Sequence, residues 1–368
     1  MRTTFAVVVL CLAVAQVIAQ EDAPAGFVMK VEGDSTEKFK VSCELAKPHD
    51  QSSPEALVDS WIRITDSRPA NQQAEDAVLG RWIDAVNKAI DADAKTLLTE
   101  DAFKHLVEGR RLEAERNAEQ ARNRKQNPPV TTRLATTVEN GVTRIRVQQT
   151  VKWTWNEEVG TETTLYRLTC TKGNDGKWRI SELAIAERGA DDEDEAKVDY
   201  EATVPPVLTS LYMLRRRAEC TYKLATVRQD TPESAARTLL EGLLPRREKL
   251  VLEGHARNFA GLMRLHEELY TADFTGETKK KVELYYPLKE QPDHSLVEPM
   301  VSVEENIHTV WFKVMYAGST NLMRAIAVKL KKVGEVWMVT EAGVSEEYGE
   351  FVGYQRVSDI YELIRNAG

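Results

Sequence analysis

The chain has 368 residues, of which 42% are hydrophobic and 29% are charged, with 49 Lys and Arg against 58 Asp and Glu. The net charge of −9 argues against a nucleic-acid-binding protein, because such proteins carry an excess of basic side chains. The length exceeds what one hydrophobic core usually supports, so it predicts two domains.

The first residues have the pattern of a secretory signal peptide. One early positive charge, Arg2, precedes an apolar stretch from Phe5 to Ala19, and the QEDAPAG that follows is polar. We expect cleavage after Ala19, and therefore a secreted or periplasmic protein in which residues 20–42 form an N-terminal segment. The alternative is a membrane anchor, but this stretch is short for a bilayer, and no later segment is apolar enough to cross one.

Helices are predicted after the N-terminal segment. In SSPEALVDSW at 52–61, Ser53 can cap a helix and the proline after it suits the first turn. A stripe of apolar residues around Trp82 predicts a second helix, and a third is predicted over 99–125, before a Pro-Pro pair. The expected packing face of the third helix consists of Val107, Ala114, Ala118 and Ala121.

A meander of strands is predicted next. The segment VTRIRVQQTVKWTW at 142–155 places Ile145, Val147 and Gln149 on one side and arginines on the other, which predicts a long strand with one buried face. The sequences ENG at 139–141 and GNDG at 173–176 are typical of hairpin turns.

An acidic segment at 189–199 follows the meander. The five consecutive acids Asp191 to Glu195 predict a solvated loop, since they cannot pack in a core. A calcium site is the alternative, but the spacing and the glycine of an EF-hand loop are missing. The helix predicted at 207–217 completes the first half of the chain.

The second half repeats this order of elements. The helix start at 52–61 matches DTPESAARTL at 230–239 with an offset of 178. Further matches relate 87–103 to 258–274, Asn140 to Asn306, Trp178 to Trp337 and 210–216 to 359–365, with offsets that fall from 171 through 166 and 159 to 149. The shared order predicts two tandem copies, 43–218 and 219–368, which superpose and each bury a core of their own.

Helices followed by a bent antiparallel meander, with a Trp in the last hairpin of each copy, resemble the NTF2-like superfamily, which includes the SnoaL-like proteins. The resemblance implies an α+β fold of two tandem NTF2-like modules, each with helices that close over a curved sheet and leave a cone-shaped pocket. Members of this superfamily include isomerases, dehydratases, epoxide hydrolases, ligand carriers and non-catalytic assembly domains, so the resemblance leaves the function open.

Sequence motifs for catalysis and for metal binding are missing. The chain has no GxSxG, HExxH, P-loop, GxGxxG or CxxC pattern, so we predict no catalytic residue, no metal site and no cofactor. Only one of the six histidines, His308, lies inside a predicted strand, where a structural role is the simpler interpretation.

Two arginines are the candidate ligand-binding residues. Arg167 in TLYRLTC and Arg324 in NLMRAIA lie at similar points on the third strand of each copy. Arg324 shares a predicted strand face with apolar residues such as Ile326, and an Arg in an apolar row needs a partner. The partner is either a small acidic ligand in the cone or a neighbouring carboxylate, or else the guanidinium reaches the rim of the cone.

Two functional hypotheses therefore stand. The first is a secreted, non-catalytic protein that binds a small molecule or a protein partner through its cones or sheets. The alternative is a small-molecule lyase, isomerase or hydrolase of the cone type. A polar pair in one deep pocket would favour the enzyme, whereas cones filled by Trp and Leu would favour the binding protein. Of the cysteines left after signal cleavage, Cys43, Cys170 and Cys220, we expect at most one disulfide and favour none.

Overall fold

A computed structural model describes residues 26–66, 68–123, 125–126, 129–139, 141–155, 158–188, 198–291, 294–316 and 324–345. The predicted signal peptide at 1–19, the acids Asp191 to Glu195 and the helix predicted at 359–365 lie outside these residues.

The first half of the chain begins with a hairpin, continues with three helices and then forms a sheet. Its elements are β1 (Phe27–Glu32), β2 (Lys40–Leu45), α1 (Pro54–Asp66), α2 (Arg68–Leu97), α3 (Glu100–Asn123), β3 (Lys125–Gln126), β4 (Val130–Glu139), β5 (Val142–Trp155), β6 (Glu158–Lys172), β7 (Trp178–Arg188), β8 (Glu201–Thr203) and α4 (Pro206–Ala218). The strand predicted over 142–155 is confirmed, and both predicted turns contain a glycine with φ of +78° that favours hairpin geometry.

The second half has a similar order. Its elements are β9 (Thr221–Tyr222), α5 (Pro232–Arg237), a π-helical turn (Thr238–Leu243), α6 (Leu244–Glu267), α7 (Ala272–Tyr285), β10 (Glu290–Gln291), β11 (His294–Glu304), β12 (Ile307–Tyr316), β13 (Arg324–Val333) and β14 (Val336–Ser345). The predicted cap at Ser53 forms, because the backbone N–H of Ala56 donates to Ser53 Oγ at 3.1 Å. Thr231 in the matching segment caps α5 in the same way, since the backbone N–H of Ser234 donates to Thr231 Oγ1 at 3.1 Å.

Two larger antiparallel sheets dominate this α+β fold. The first sheet has the order β3-β5-β6-β7-β8, with β4 also paired to β5, and the second sheet has the order β11-β12-β13-β14. A register shift lies between Thr169 and Cys170 in the first sheet and between Lys329 and Leu330 in the second. This shared irregularity allows positions in the two sheets to be matched.

The expectation that each half buries a core of its own is wrong. The core on the first sheet includes Leu265 and Phe274, which come from α6, α7 and the second half of the chain. The core on the second sheet includes Trp82, Ile90 and Leu106, which come from α2, α3 and the first half. The 30-residue helix α2 is about 45 Å long, so it leads the chain away from its own sheet to the other one.

Each half thus lends helices to the sheet of the other half, and equivalent hydrogen bonds hold both of these helix exchanges in place. Gln51 Nε2 donates to the carbonyl oxygen of Trp178 at 3.1 Å and to that of Glu268 at 2.9 Å, so it ties the first sheet to the end of α6. The second half repeats this pattern at the end of α2, where Gln229 Nε2 donates to the carbonyl oxygens of Trp337 at 3.1 Å and Thr96 at 2.9 Å.

The long helices α2 and α6 meet at corresponding positions. Trp82 of α2 is buried, and its Nε1 donates to the carbonyl oxygen of Leu250 at 2.9 Å. A Cβ atom on Gly254 of α6 would lie 1.7 Å from that nitrogen, so only glycine leaves room for the indole. The offset of 172 between Trp82 and Gly254 is also the offset between Thr96 and Glu268.

Candidate functional site

A group of polar side chains lies on the helix-covered face of the first sheet. This group, the Asp66 cluster, consists of Asp66 at the end of α1, Thr131 on β4, Gln149 on β5 and Tyr166 on β6. Asp66 Oδ1 accepts hydrogen bonds from Thr131 Oγ1 at 2.5 Å and from Gln149 Nε2 at 3.1 Å. Gln149 Oε1 accepts a longer one from the Tyr166 hydroxyl at 3.4 Å. All four residues are partly exposed, so solvent reaches them.

Aromatic side chains cover the cluster from the helix side. Trp61 of α1 packs edge-on against Tyr166 with ring centroids 5.3 Å apart, and its Nε1 donates to the Tyr270 hydroxyl at 2.9 Å. Tyr270 follows α6 and belongs to the second half of the chain. The exchange of helices therefore brings residues from both halves to this place.

Burial changes the acidity of these groups. Desolvation raises the pKa of Asp66 above its ordinary value, although the hydrogen bonds from Thr131 and Gln149 act in the opposite direction. Desolvation also raises the pKa of the Tyr166 hydroxyl, and the charge of Asp66 adds to this effect. The cluster therefore presents a carboxyl group whose pKa lies above that of an exposed Asp, beside a phenol whose pKa is also raised.

The corresponding place on the second sheet is apolar. The shared register shift matches Tyr166 with Ile326, and the pairing of neighbouring strands then matches Gln149 with Val314 and Thr131 with Leu296. Counted from the matched pair Ser60 and Thr238, Trp61 corresponds to Leu239, and Tyr270 corresponds to Leu98 through equivalent β-bridges. The π-helical turn Thr238–Leu243, which α1 lacks, changes the count before the position of Asp66 is reached. All five matched residues are buried in the second core: Leu98, Leu239, Leu296, Val314 and Ile326.

The comparison separates what the fold needs from what the cluster adds. Apolar side chains fill the five matched positions of the second sheet, so this architecture does not require polar groups there. Polar groups in a core cost free energy unless they are hydrogen-bonded, and even then they add little stability. The packing of the fold therefore does not account for the polar residues of the first sheet.

Sequence reasoning missed this cluster. One signal was present, because Gln149 lies on the otherwise apolar face of the strand predicted over 142–155. Gln149 belongs to a cluster only because Asp66 and Thr131 lie beside it in the folded chain. Nothing in the sequence shows that the end of α1 meets β4 and β5.

The two predicted arginines lie in different sheets, Arg167 on β6 and Arg324 on β13. Arg167 alternates on β6 with Tyr166 and Leu168, which face the helices, so its side chain emerges on the opposite face. There its guanidinium carbon lies 4.8 Å from the centroid of the Tyr200 ring. Arg324 is the first residue of β13 and pairs with Val314, and its side chain lies outside the described part of the structure. By the shared register shift, Arg324 corresponds to Thr164 and not to Arg167.

The three cysteines and His308 are the remaining residues that the sequence analysis considered. Cys43 and Cys170 are buried free thiols, and desolvation raises the pKa of each to about 12, which leaves them unreactive at neutral pH. Cys220 is also a free thiol. The His308 ring packs edge-on against Trp337 with ring centroids 4.3 Å apart.

Within the described ranges, no three His, Cys, Asp or Glu side chains are grouped as metal ligands. None of the helices in those ranges is long and apolar enough to span a bilayer.

Comparison with known proteins gives little information about the family or function of this chain. No family model matches the chain, and no curated protein matches it. A solved structure described as an Ntf2 like protein involved in plasmid conjugation aligns with 7% sequence identity over 77% of this chain and 92% of that chain. Its TM-score of 0.16 is too low for the likeness to support any inference about this chain.

Proposed function

We propose that this chain is a secreted, non-catalytic binding protein made of two NTF2-like modules, and that its first module holds a small molecule at the Asp66 cluster. The modules span residues 43–218 and 219–368 in the sequence, after removal of residues 1–19, and they exchange helices in space. Support for the modular part comes from the recurring helix caps, glutamine contacts and register shifts.

One observation carries the binding proposal. The first sheet has a partly exposed, hydrogen-bonded polar cluster at the positions where the second sheet is filled by buried aliphatic side chains. A protein that needed only a closed core would have the apolar solution in both places.

The chemistry of the cluster defines the class of ligand. A carboxyl, a hydroxyl, an amide and a phenol offer both donors and acceptors, and the rings of Trp61 and Tyr166 offer apolar area. These groups suit a neutral or cationic molecule with hydroxyl or amino groups on an apolar ring. An acidic ligand would be repelled by Asp66 once that group is ionised, so the small acidic ligand expected from Arg167 and Arg324 does not suit this cluster.

A second candidate function is a small-molecule lyase, isomerase or hydrolase. The raised pKa of Asp66 favours it, because a partly buried carboxyl group beside a phenol is suited to general acid or base chemistry. Asp66 would then move the proton, and the Tyr166 hydroxyl would donate a hydrogen bond to a substrate oxygen.

The test is a screen of small molecules by thermal shift on the mature chain, with neutral, cationic and acidic sets. We expect stabilisation by members of the neutral or cationic set, and a loss of affinity of about tenfold or more in Tyr166→Phe and Asp66→Asn, which keep the shape of the site. Arg167→Lys, on the opposite face of the sheet, is the matched control and should bind normally. If no member of these sets stabilises the wild type, or both variants bind as well as the wild type, the proposal is wrong.

Mass spectrometry of the incubated ligand separates the two candidates. A binding protein returns the ligand unchanged. An enzyme converts it, and Asp66→Asn should then abolish conversion more strongly than it weakens binding. The secretion proposal is tested by the N-terminus of the exported protein, which should be Gln20.

A further inference from the structure

A run of exposed residues at the end of α7 carries more apolar surface than a solvated loop needs. Every residue from 283 to 290, in the sequence ELYYPLKE, is exposed. The exposed fractions are 76% for Leu284, 74% for Tyr285, 47% for Tyr286 and 49% for Leu288. Consecutive exposed apolar residues cost solubility and indicate a binding surface.

This apolar tip is held in place at both ends. Pro287 prevents α7 from continuing, and Arg216 Nε of α4 donates to the carbonyl oxygen of Tyr286 at 3.3 Å. On the other side, Glu290 and Gln291 form a short parallel ladder with Thr221 and Tyr222. The apolar side chains are therefore presented on a fixed scaffold, which lowers the entropy lost on binding.

Basic side chains surround the tip. Lys280 and Lys281 lie one helical turn before Leu284 and Tyr285, on the same faces of α7, and Lys289 follows two residues after Pro287. A groove of about 190 Å³ between α4 and α7 is lined by Arg215, Arg216 and Lys279, and also by Glu219 and Glu283. Residues 279–289 contain four lysines and one glutamate, a local excess of positive charge in a chain with a net charge of −9.

We propose that the 283–290 tip binds the surface of an anionic lipid bilayer. Leu284, Tyr285 and Leu288 would enter the boundary between head groups and acyl chains, while the surrounding lysines and arginines face the lipid phosphates. Tyrosine suits this depth because its ring is apolar and its hydroxyl stays in contact with water. The charge around the tip matches an anionic surface, and a projecting tip enters a bilayer more readily than it covers a flat protein partner.

The test is sedimentation of the mature chain with vesicles of phosphatidylcholine, with and without about one-third phosphatidylglycerol. We expect binding to the anionic vesicles, weakened by high salt because the lysines are screened. The double variant Leu284→Ser/Tyr285→Ser should lower the affinity by about tenfold or more, since it removes the inserted apolar area. Lys280→Gln/Lys281→Gln should lower it for the anionic vesicles alone. Val303→Ser, an exposed apolar residue on β11, is the matched control and should change nothing.

Three outcomes would overturn the proposal. The wild type does not bind anionic vesicles, or the Leu284/Tyr285 variant binds them as well as the wild type does. The third is concentration-dependent dimerisation of the wild type, seen by light scattering and lost in the same variant, because the tip would then be a contact between two copies of the chain.

Discussion

The two sheets solve the same packing problem with different chemistry. The first sheet is covered by α1, α4 and the helices of the second half, and it keeps the Asp66 cluster under Trp61 and Tyr270. The second sheet is covered by α5, α6 and the helices of the first half, and its matched positions are aliphatic and buried. The second sheet thus serves as an internal control, and the difference shows which residues of the first sheet the architecture does not require.

The largest effect is expected in the second core. Phe312 of β12 is fully buried in the second core, so Phe312→Ala should lower the free energy of unfolding by about 4 kcal/mol. Urea denaturation of the mature chain measures this loss. Val301→Ala, at an exposed position of β11, is the control with a change below about 0.5 kcal/mol. A loss below about 1 kcal/mol at Phe312 would contradict a filled second core.

The crossing of α2 and α6 should be the next most sensitive place. Gly254→Ala forces a methyl group into the Trp82 indole and should destabilise the protein by about 3 kcal/mol. Gly80→Ala is the matched control, because Gly80 lies in α2 with nothing within 4 Å of an added Cβ, and it should stabilise by about 0.5–1 kcal/mol. Thermal denaturation of both variants gives the comparison, and equal shifts would contradict the close crossing.

The paired glutamines test whether the two exchanges are equivalent. Gln51→Ala and Gln229→Ala each remove two hydrogen bonds to backbone carbonyls, so each should cost about 2 kcal/mol. The two losses should agree within about 0.5 kcal/mol and should add in the double variant. If the unfolding free energies of the two single variants differ by more than about 1.5 kcal/mol, the two contacts are not equivalent.

The smallest expected effect concerns the pH dependence of stability. The folded-state pKa of Asp66 is raised above its ordinary value of 3.8 by burial. The protonated form is therefore favoured in the folded state. The stability that this adds is fully present below pH 3.8 and is lost as the pH rises through the raised pKa. Asp66→Asn should remove this part of the pH profile. Identical profiles of the variant and the wild type between pH 3 and 7, measured by urea denaturation, would contradict the assignment.

Much of the local structure could be predicted from the sequence because it depends on neighbouring residues. The alternation at 142–155, the caps at Ser53 and Thr231 and the turn glycines all act within a few residues. The packing of distant elements could not be predicted in the same way. The expected packing face of α3 is wrong at Val107, which is 44% exposed, because α3 contacts the second sheet mainly through Ala102 and Leu106 in its first turns.

The candidate site depends on that distant packing. A repeat in the sequence indicates that two similar units exist, but not which helices cover which sheet, since either arrangement satisfies the same apolar patterns. The predicted correspondence of Arg167 with Arg324 failed for a related reason. The strands lack distinctive residues at that point, and only the register shifts in the folded sheets show the correct match.

The most direct test of the central claim is the unfolding free energy of one variant, with apolar side chains of similar shape at all four positions of the Asp66 cluster. The substitutions are Asp66→Leu, Thr131→Val, Gln149→Leu and Tyr166→Phe. If the cluster serves a ligand and not the fold, this variant should be within about 1 kcal/mol of the wild type or more stable, because no buried partner is left unpaired, and it should no longer be stabilised by the ligands that the wild type binds. A loss of more than about 3 kcal/mol, or unchanged ligand stabilisation, would contradict the claim.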